Sequence, residues 1–235
     1  MTVGMKKVLV VVAHPDDEVL GCGATISKIV RSGGQVRVLI LGEGSSCRYP
    51  REMIDSDRVR EDIAQRRRFA DEALTVLGVS EAVFGDFPCG RFDTVPIIDI
   101  GKKIEANIAD FQPDTVITHF VGDANSDHRI TLNAVIAATR PIPQGCVKTV
   151  LSFETPSSTE WRFVESFQPN FFVNVTAHID QKVKAFDCYF ETEGRPFPFP
   201  RCAEGLRTFA KFRGMQVGAD YAEAYHLVRT IVDPH

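Results

Sequence analysis

No apolar run in this 235-residue chain approaches the ~18 residues that a membrane-crossing helix needs, so a transmembrane segment is not expected. Positive charge is not in excess either. The 27 Lys and Arg against 31 Asp and Glu leave a formal charge of −4, which gives no global field to draw in nucleic acid. The six cysteines, Cys22, Cys47, Cys89, Cys146, Cys188 and Cys202, include no C-x-x-C pair. That spacing argues against a cysteine-rich zinc site and reads as reduced thiols, each a small buried hydrophobe. The segment from Met1 through Lys6-Lys7 carries no small-residue cleavage site, and a cytoplasmic protein is expected. A dinucleotide fingerprint is missing as well: Gly21-Cys22-Gly23 lacks the third glycine, with Ile26 in its place. There is no internal repeat, heptad pattern or low-complexity segment.

What is present is an alternation of short β-branched runs and helical patterns. Hydrophobic residues make up 44% and charged residues 25%, ordinary for a soluble globular enzyme, and the length suits one domain over 1–235. Strands are predicted at 8–13, 36–41, 82–84, 115–118, 147–152 and 170–175, with a last short element at 225–232. Helices are predicted at 21–32, 57–77, 99–111, 130–139, 179–189 and 205–215. Such alternation implies a three-layer α/β/α fold with a Rossmann-like, mostly parallel sheet. A long polar stretch from Gly42 to Ser56 reads as an irregular loop over a site.

The first strand ends abruptly in Ala13-His14-Pro15-Asp16-Asp17-Glu18. Four ionisable groups at the mouth of a buried strand are costly to desolvate, and a metal ion is the simplest way to offset that cost. The carboxyl end of a strand is also where open α/β sheets bind ligands. His14 and Asp17, three apart across the strand-to-helix turn, can aim at one point while Asp16 projects separately. Imidazole plus carboxylate is a borderline-metal donor set that suits zinc. A further ligand should come from another strand end, and His119 through His128 after strand 115–118 is crowded with polar groups.

Ala13-His14-Pro15-Asp16-Asp17-Glu18, followed by Asn125-Ser126-Asp127-His128, resembles the PIG-L (LmbE-like) zinc-dependent N-deacetylases. Arg213-Gly214, Gly218 and Ala222-Glu223-Ala224-Tyr225 extend the likeness over nearly the whole chain. The resemblance implies removal of an acetyl group from an N-acetylglucosamine-type amino sugar or glycoconjugate. It further implies zinc held by His14, Asp17 and His128, with Asp16 as general base. Many relatives carry histidine three residues before the last ligand; here Asn125 stands there. An asparagine amide can donate to an oxyanion, and His119 is the candidate for the missing imidazole. Asp127 is expected to orient His128 or another ligand, and Glu18 to brace the first loop. Loops 42–56 and 85–96 are expected to meet substrate, with Arg48 and Asp93 as candidate contacts. Trp161 and Phe163 are expected to pack in the core.

Two other readings stay open at this point: a zinc hydrolase of another acylated small molecule (antibiotic, nucleotide-sugar or ester), and a non-catalytic metal- or carbohydrate-binding module. The Phe-rich tail (Phe186, Phe190, Phe197, Phe199, Phe209, Phe212) suits a homo-oligomer contact as well as a core.

Overall fold

The computed structural model describes residues 5–142 and 145–232. Seven strands form one sheet: β1 (Lys7–Val12), β2 (Gln35–Gly42), β3 (Glu81–Phe87), β4 (Thr115–His119), β5 (Thr149–Phe153), β6 (Phe171–Asn174) and β7 (Ala222–Thr230). Their order is β3-β2-β1-β4-β5-β7-β6. The first five strands run parallel, β7 runs antiparallel to β5, and β6 antiparallel to β7. Among the described residues seven α-helices cover it: α1 (Asp17–Arg31), α2 (Asp57–Leu77), α3 (Ile97–Phe111), α4 (Ser126–Ala138), α5 (Ile179–Asp187), α6 (Phe190–Glu193) and α7 (Ala203–Met215).

β1 is buried on both faces, and its side chains divide between two cores. Val8, Val10 and Val12 join α1, α2 and α5 residues such as Ile26, Leu74 and Phe186. Leu9, Val11 and Ala13 join α3 and α4 residues such as Ile104 and Val135. This is why the strand reads as a continuous apolar run instead of an alternating one. Because β1 lies between β2 and β4, the chain winds outward in both directions from it. The resulting crevice at the carboxyl ends of β1 and β4 is the place where such sheets hold ligands.

Several elements are longer than the periodicity predicts. α1 begins at Asp17 instead of Gly21, and α4 at Ser126 instead of Ile130. α1 opens on Asp17 and Glu18 and α4 on Ser126, Asp127 and His128, so apolar spacing marks the first residue of neither. Carboxylates there suit the positive end of the helix dipole. The last element is a nine-residue strand inserted between β5 and β6. Gly21 lets α1 cross β5 closely, since a Cβ there would lie 2.2 Å from the Phe153 ring. Two packing expectations fail: Phe163 is 91% exposed and Trp161 47% exposed, the latter tilted against Phe199 at 5.8 Å between ring centroids. Of the Phe-rich tail, Phe186 is buried in the core, whereas Phe190, Phe197 and Phe212 are each about half exposed. No described helix is long and apolar enough to cross a membrane.

Candidate metal centre and active site

β1 ends at Val12, and the turn through Pro15 brings Asp17, the first residue of α1, back beneath His14. The His14 backbone N–H donates to Asp17 Oδ2 at 2.8 Å, which locks the two together. The first turn of α4, beyond the end of β4, delivers His128 to the same point. Nδ1 of His14 lies 3.4 Å from Asp17 Oδ2, and Nε2 of His128 lies 3.3 Å from Asp17 Oδ1. One donor atom from each of these three buried residues falls within 4.8 Å of the other two.

Burial alone would drive protons off both imidazoles, yet their carboxylate neighbours prevail. Asp127 and Asp17 push His14 up to about 9, and Asp17 and Asp123 push His128 up to about 10. Burial likewise disfavours ionised Asp17, but His128 and His119 hold it well below the usual carboxylate range. The centre therefore collects positive charge against three buried carboxylates. Nδ1 of His128 lies 3.1 Å from Asp123 Oδ1, an ion-pair contact outside hydrogen-bond alignment. Two imidazoles and a carboxylate converging in a closed, negatively biased pocket are a donor set that fits a divalent borderline cation such as zinc.

The residues behind the three candidate ligands are ordered by hydrogen bonds. Asp127 orients His14, not His128: its Oδ2 lies 3.0 Å from His14 Nε2 and accepts the Gly90 N–H at 2.6 Å, while Oδ1 accepts from Phe92 N–H. His128 faces Asp123, which sequence reasoning missed. This fully buried carboxylate accepts the Ser158 and Thr159 hydroxyls at 2.5 and 2.6 Å and the Asn125 N–H at 2.8 Å. His128 and the two hydroxyls outweigh burial and keep it ionised. The single signal for it was a carboxylate five residues ahead of a histidine, too common to single out.

His119 does not take the oxyanion position expected of it. It is fully buried, its Nε2 accepts the Ala13 N–H at 3.0 Å, and its ring stacks on His128 at 3.8 Å between centroids. Burial and the nearby His128 charge push it down to about 4, so it is neutral, with the proton assigned to Nδ1 by the hydrogen-bond network. Its place is a wedge that fixes His128. Asn125 caps α4, its side-chain oxygen accepting the Asp127 N–H at 2.9 Å. Glu18 lies beneath the first loop: Oε2 accepts the Asp16 N–H at 3.1 Å and Oε1 the Tyr189 hydroxyl at 2.7 Å. Burial pushes its carboxyl up to about 8.

Asp16 sits at a left-handed φ of 119°, a conformation that non-glycine residues adopt at an energetic penalty and that recurs at functional sites. Its Oδ2 accepts from Arg201 Nη1 at 2.8 Å and lies 3.7 Å from Arg66 Nη2. Burial raises its pKa to about 6, against the pull of Arg201 and Arg66. Glu193 ties this corner together, pairing with Arg48 and Arg66 at 2.6 Å and with Arg201 at 3.3 Å. Arg66, Glu193 and Arg201 carried no sequence signal. Arg66 lay inside the run Arg66-Arg67-Arg68, where only its buried position on α2 separates it from its neighbours. Arg48, part of the expected substrate set, stands at the rim of this corner. Asp93 does not join it: it is exposed on the turn Phe92–Thr94, from which Phe92 faces His14 at 5.9 Å.

A family profile described as PIG-L, GlcNAc-PI de-N-acetylase, matches residues 9–139, more than half of the chain. Diacetylchitobiose deacetylase from Thermococcus kodakarensis is 28% identical over 234 residues, covering 95% of this chain and 84% of that protein. Among solved structures, N,N'-diacetylchitobiose deacetylase from Pyrococcus horikoshii aligns with a TM-score of 0.74 at 23% identity, covering 95% of this chain and 84% of that one. The 4-carboxy-2-hydroxymuconate hydratase GalB from Pseudomonas putida aligns at 0.75 and 22% identity, covering 98% and 99%. The two solved structures share the fold, and on the profile match, which begins in β1 and ends at residue 139, just past α4, the chain belongs to the PIG-L family.

Proposed function

We propose that this chain is a metal-dependent N-deacetylase, removing an acetyl group from an N-acetylglucosamine-type amino sugar or glycoconjugate, with residues 1–235 forming one catalytic domain. The observation that carries this reading is the convergence of His14, Asp17 and His128 with the perturbed carboxylate of Asp16 beside them. The three would hold zinc, which when bound acts as a Lewis acid and brings the pKa of water to about 7.

The remaining work falls to the protein. Arg201 donates to Oδ2 of Asp16 and the Arg66 charge stands 3.7 Å from the same oxygen, which leaves Oδ1 to take a proton from the attacking water. A carboxyl pushed up to about 6 takes that proton near neutrality and returns it to the departing amine. The Asn125 oxygen is committed to capping α4, so its amide N–H group is the one offered to the developing oxyanion. Asp127 and Asp123 hold the two imidazoles in register, and Arg48 offers a donor to sugar hydroxyls at the rim.

Acetate and free-amine release from a series of N-acetylated amino sugars, with and without chelator, tests the reading; turnover that chelation leaves untouched would reject it. Asn125→Asp keeps the capping oxygen but removes the donor. It is expected to lower kcat by roughly 10²–10³-fold with little change in thermal stability. Wild-type kcat in that variant would take Asn125 out of the mechanism. Asp123→Asn is expected to weaken zinc binding by roughly 10–100-fold, read by competition with a chromophoric chelator. An unchanged affinity would reduce Asp123 to a loop staple.

A further inference from the structure

Two of the six cysteines do not behave as scattered small hydrophobes. Cys47, in the turn Ser46–Arg48, is exposed, and Cys89, just beyond β3, is buried, yet their sulfur atoms lie 2.8 Å apart as free thiols. The two loops are fixed to each other by one buried carboxylate. Glu43 accepts the Cys89 N–H at 2.8 Å through Oε1 and the Ser45 and Ser46 N–H groups at 2.7 and 3.0 Å through Oε2. On the other side Cys89 meets the centre described above: its sulfur, a ring nitrogen of His14 and a carboxylate oxygen of Asp127 fall within 4.8 Å of one another, all three residues buried. The neighbouring Gly90 N–H donates to Asp127 at 2.6 Å and holds that approach in place.

We propose that Cys89, Asp127 and His14, whose donor atoms converge, form a second metal site selective for a thiophilic d10 cation, with Cys47 beside Cys89 as a second sulfur. Two sulfur donors with an oxygen and an imidazole suit cadmium, or zinc in excess, and suit magnesium or calcium poorly. Binding releases one proton from each thiol to solvent, and the cation offsets the charge of two adjoining thiolates beside Glu43 and Asp127. The pocket that holds His14, Asp17 and His128 offers nitrogen and oxygen only, so the two sites differ in softness. Drawing Asp127 and His14 onto this second cation loosens the hold of His14 on the first centre, so zinc beyond one equivalent inhibits. That consequence alone rests on the deacetylase reading; the site itself does not.

Cadmium alone, titrated into the metal-free protein held under a non-thiol reductant, tests the site without any assay of activity. The expected result is two equivalents bound, the one held by sulfur filling first, bringing a cadmium–thiolate charge-transfer band and protecting the exposed Cys47 thiol from a thiol reagent. Cys47→Ser and Cys89→Ser should each remove that equivalent and its band while keeping the other, which also shows that the variants fold. Two equivalents bound without the band would overturn the proposal. So would a band that survives both substitutions, or a Cys47 thiol that loses reactivity only on oxidation to a disulfide. Absence of the other, band-free equivalent in wild type would count against the His14, Asp17 and His128 centre instead.

Discussion

Asp16→Asn is expected to lower turnover of an N-acetyl amino sugar by roughly 10²–10⁴-fold, the range attributed to a positioned general acid–base group. Metal content should stay at the wild-type level, because Asp16 is not among the converging donors. The substitution is a clean one on this backbone. The φ of 119° at position 16 disfavours most side chains but is tolerated comparatively well by asparagine. The Arg201 hydrogen bond at 2.8 Å can pass to the amide oxygen, so the corner held by Glu193 should persist. The variant thus separates proton transfer from architecture. Acetate release and metal content measured on the same preparation decide it, and an Asp16→Asn protein that keeps more than half of wild-type kcat removes Asp16 as the base.

Asp17→Asn is expected to act on stability and metal together. Asp17 is 1% exposed; its two oxygens receive the His14 N–H and face both His14 and His128. Removing that charge takes away a carboxylate that favours the protonated form of both buried imidazoles, whose ring centroids lie 5.4 Å apart, and leaves burial to oppose it. Breaking a buried charge network by deleting one partner costs roughly 3–5 kcal/mol. Urea denaturation of metal-free wild type and variant should show that loss as a lower midpoint at similar slope, and the variant should bind no zinc at the first equivalent. A wild-type midpoint with full metal content would mean that Asp17 is neither anchor nor ligand.

Much of this was legible in the sequence, and the limits of legibility are physical. The parallel sheet could be read because β1 is covered on both faces, so its residues form one uninterrupted apolar run. The place of His14, Asp16 and Asp17 could be read because ionisable groups at the end of such a run have few structural explanations. The starts of α1 and α4 could not, since both helices open on charged or polar residues that carry no apolar period. Asp123, Arg66, Glu193 and Arg201 were equally hidden: the last three reach the centre from distant parts of the chain, Asp123 lies only five residues before His128, and a single charged residue has no spacing to betray it. His119 misled for a related reason. Sequence put an imidazole at the end of β4, but only the backbone shows that its Nε2 is taken by the Ala13 N–H. The cysteines misled too, because the closeness of Cys47 and Cys89 across 42 positions is set by the Glu43 hydrogen bonds and by no local pattern.

X-ray absorption at the zinc edge of protein loaded with one equivalent tests the central geometry most directly. The expected coordination shell contains two imidazole nitrogens at about 2.0–2.1 Å with the rest of the shell oxygen, and no sulfur. His128→Ala should lower the imidazole count by one. A shell containing sulfur at one equivalent, or one unchanged by loss of His128, would contradict the assignment of His14, Asp17 and His128 as the groups that close on the metal.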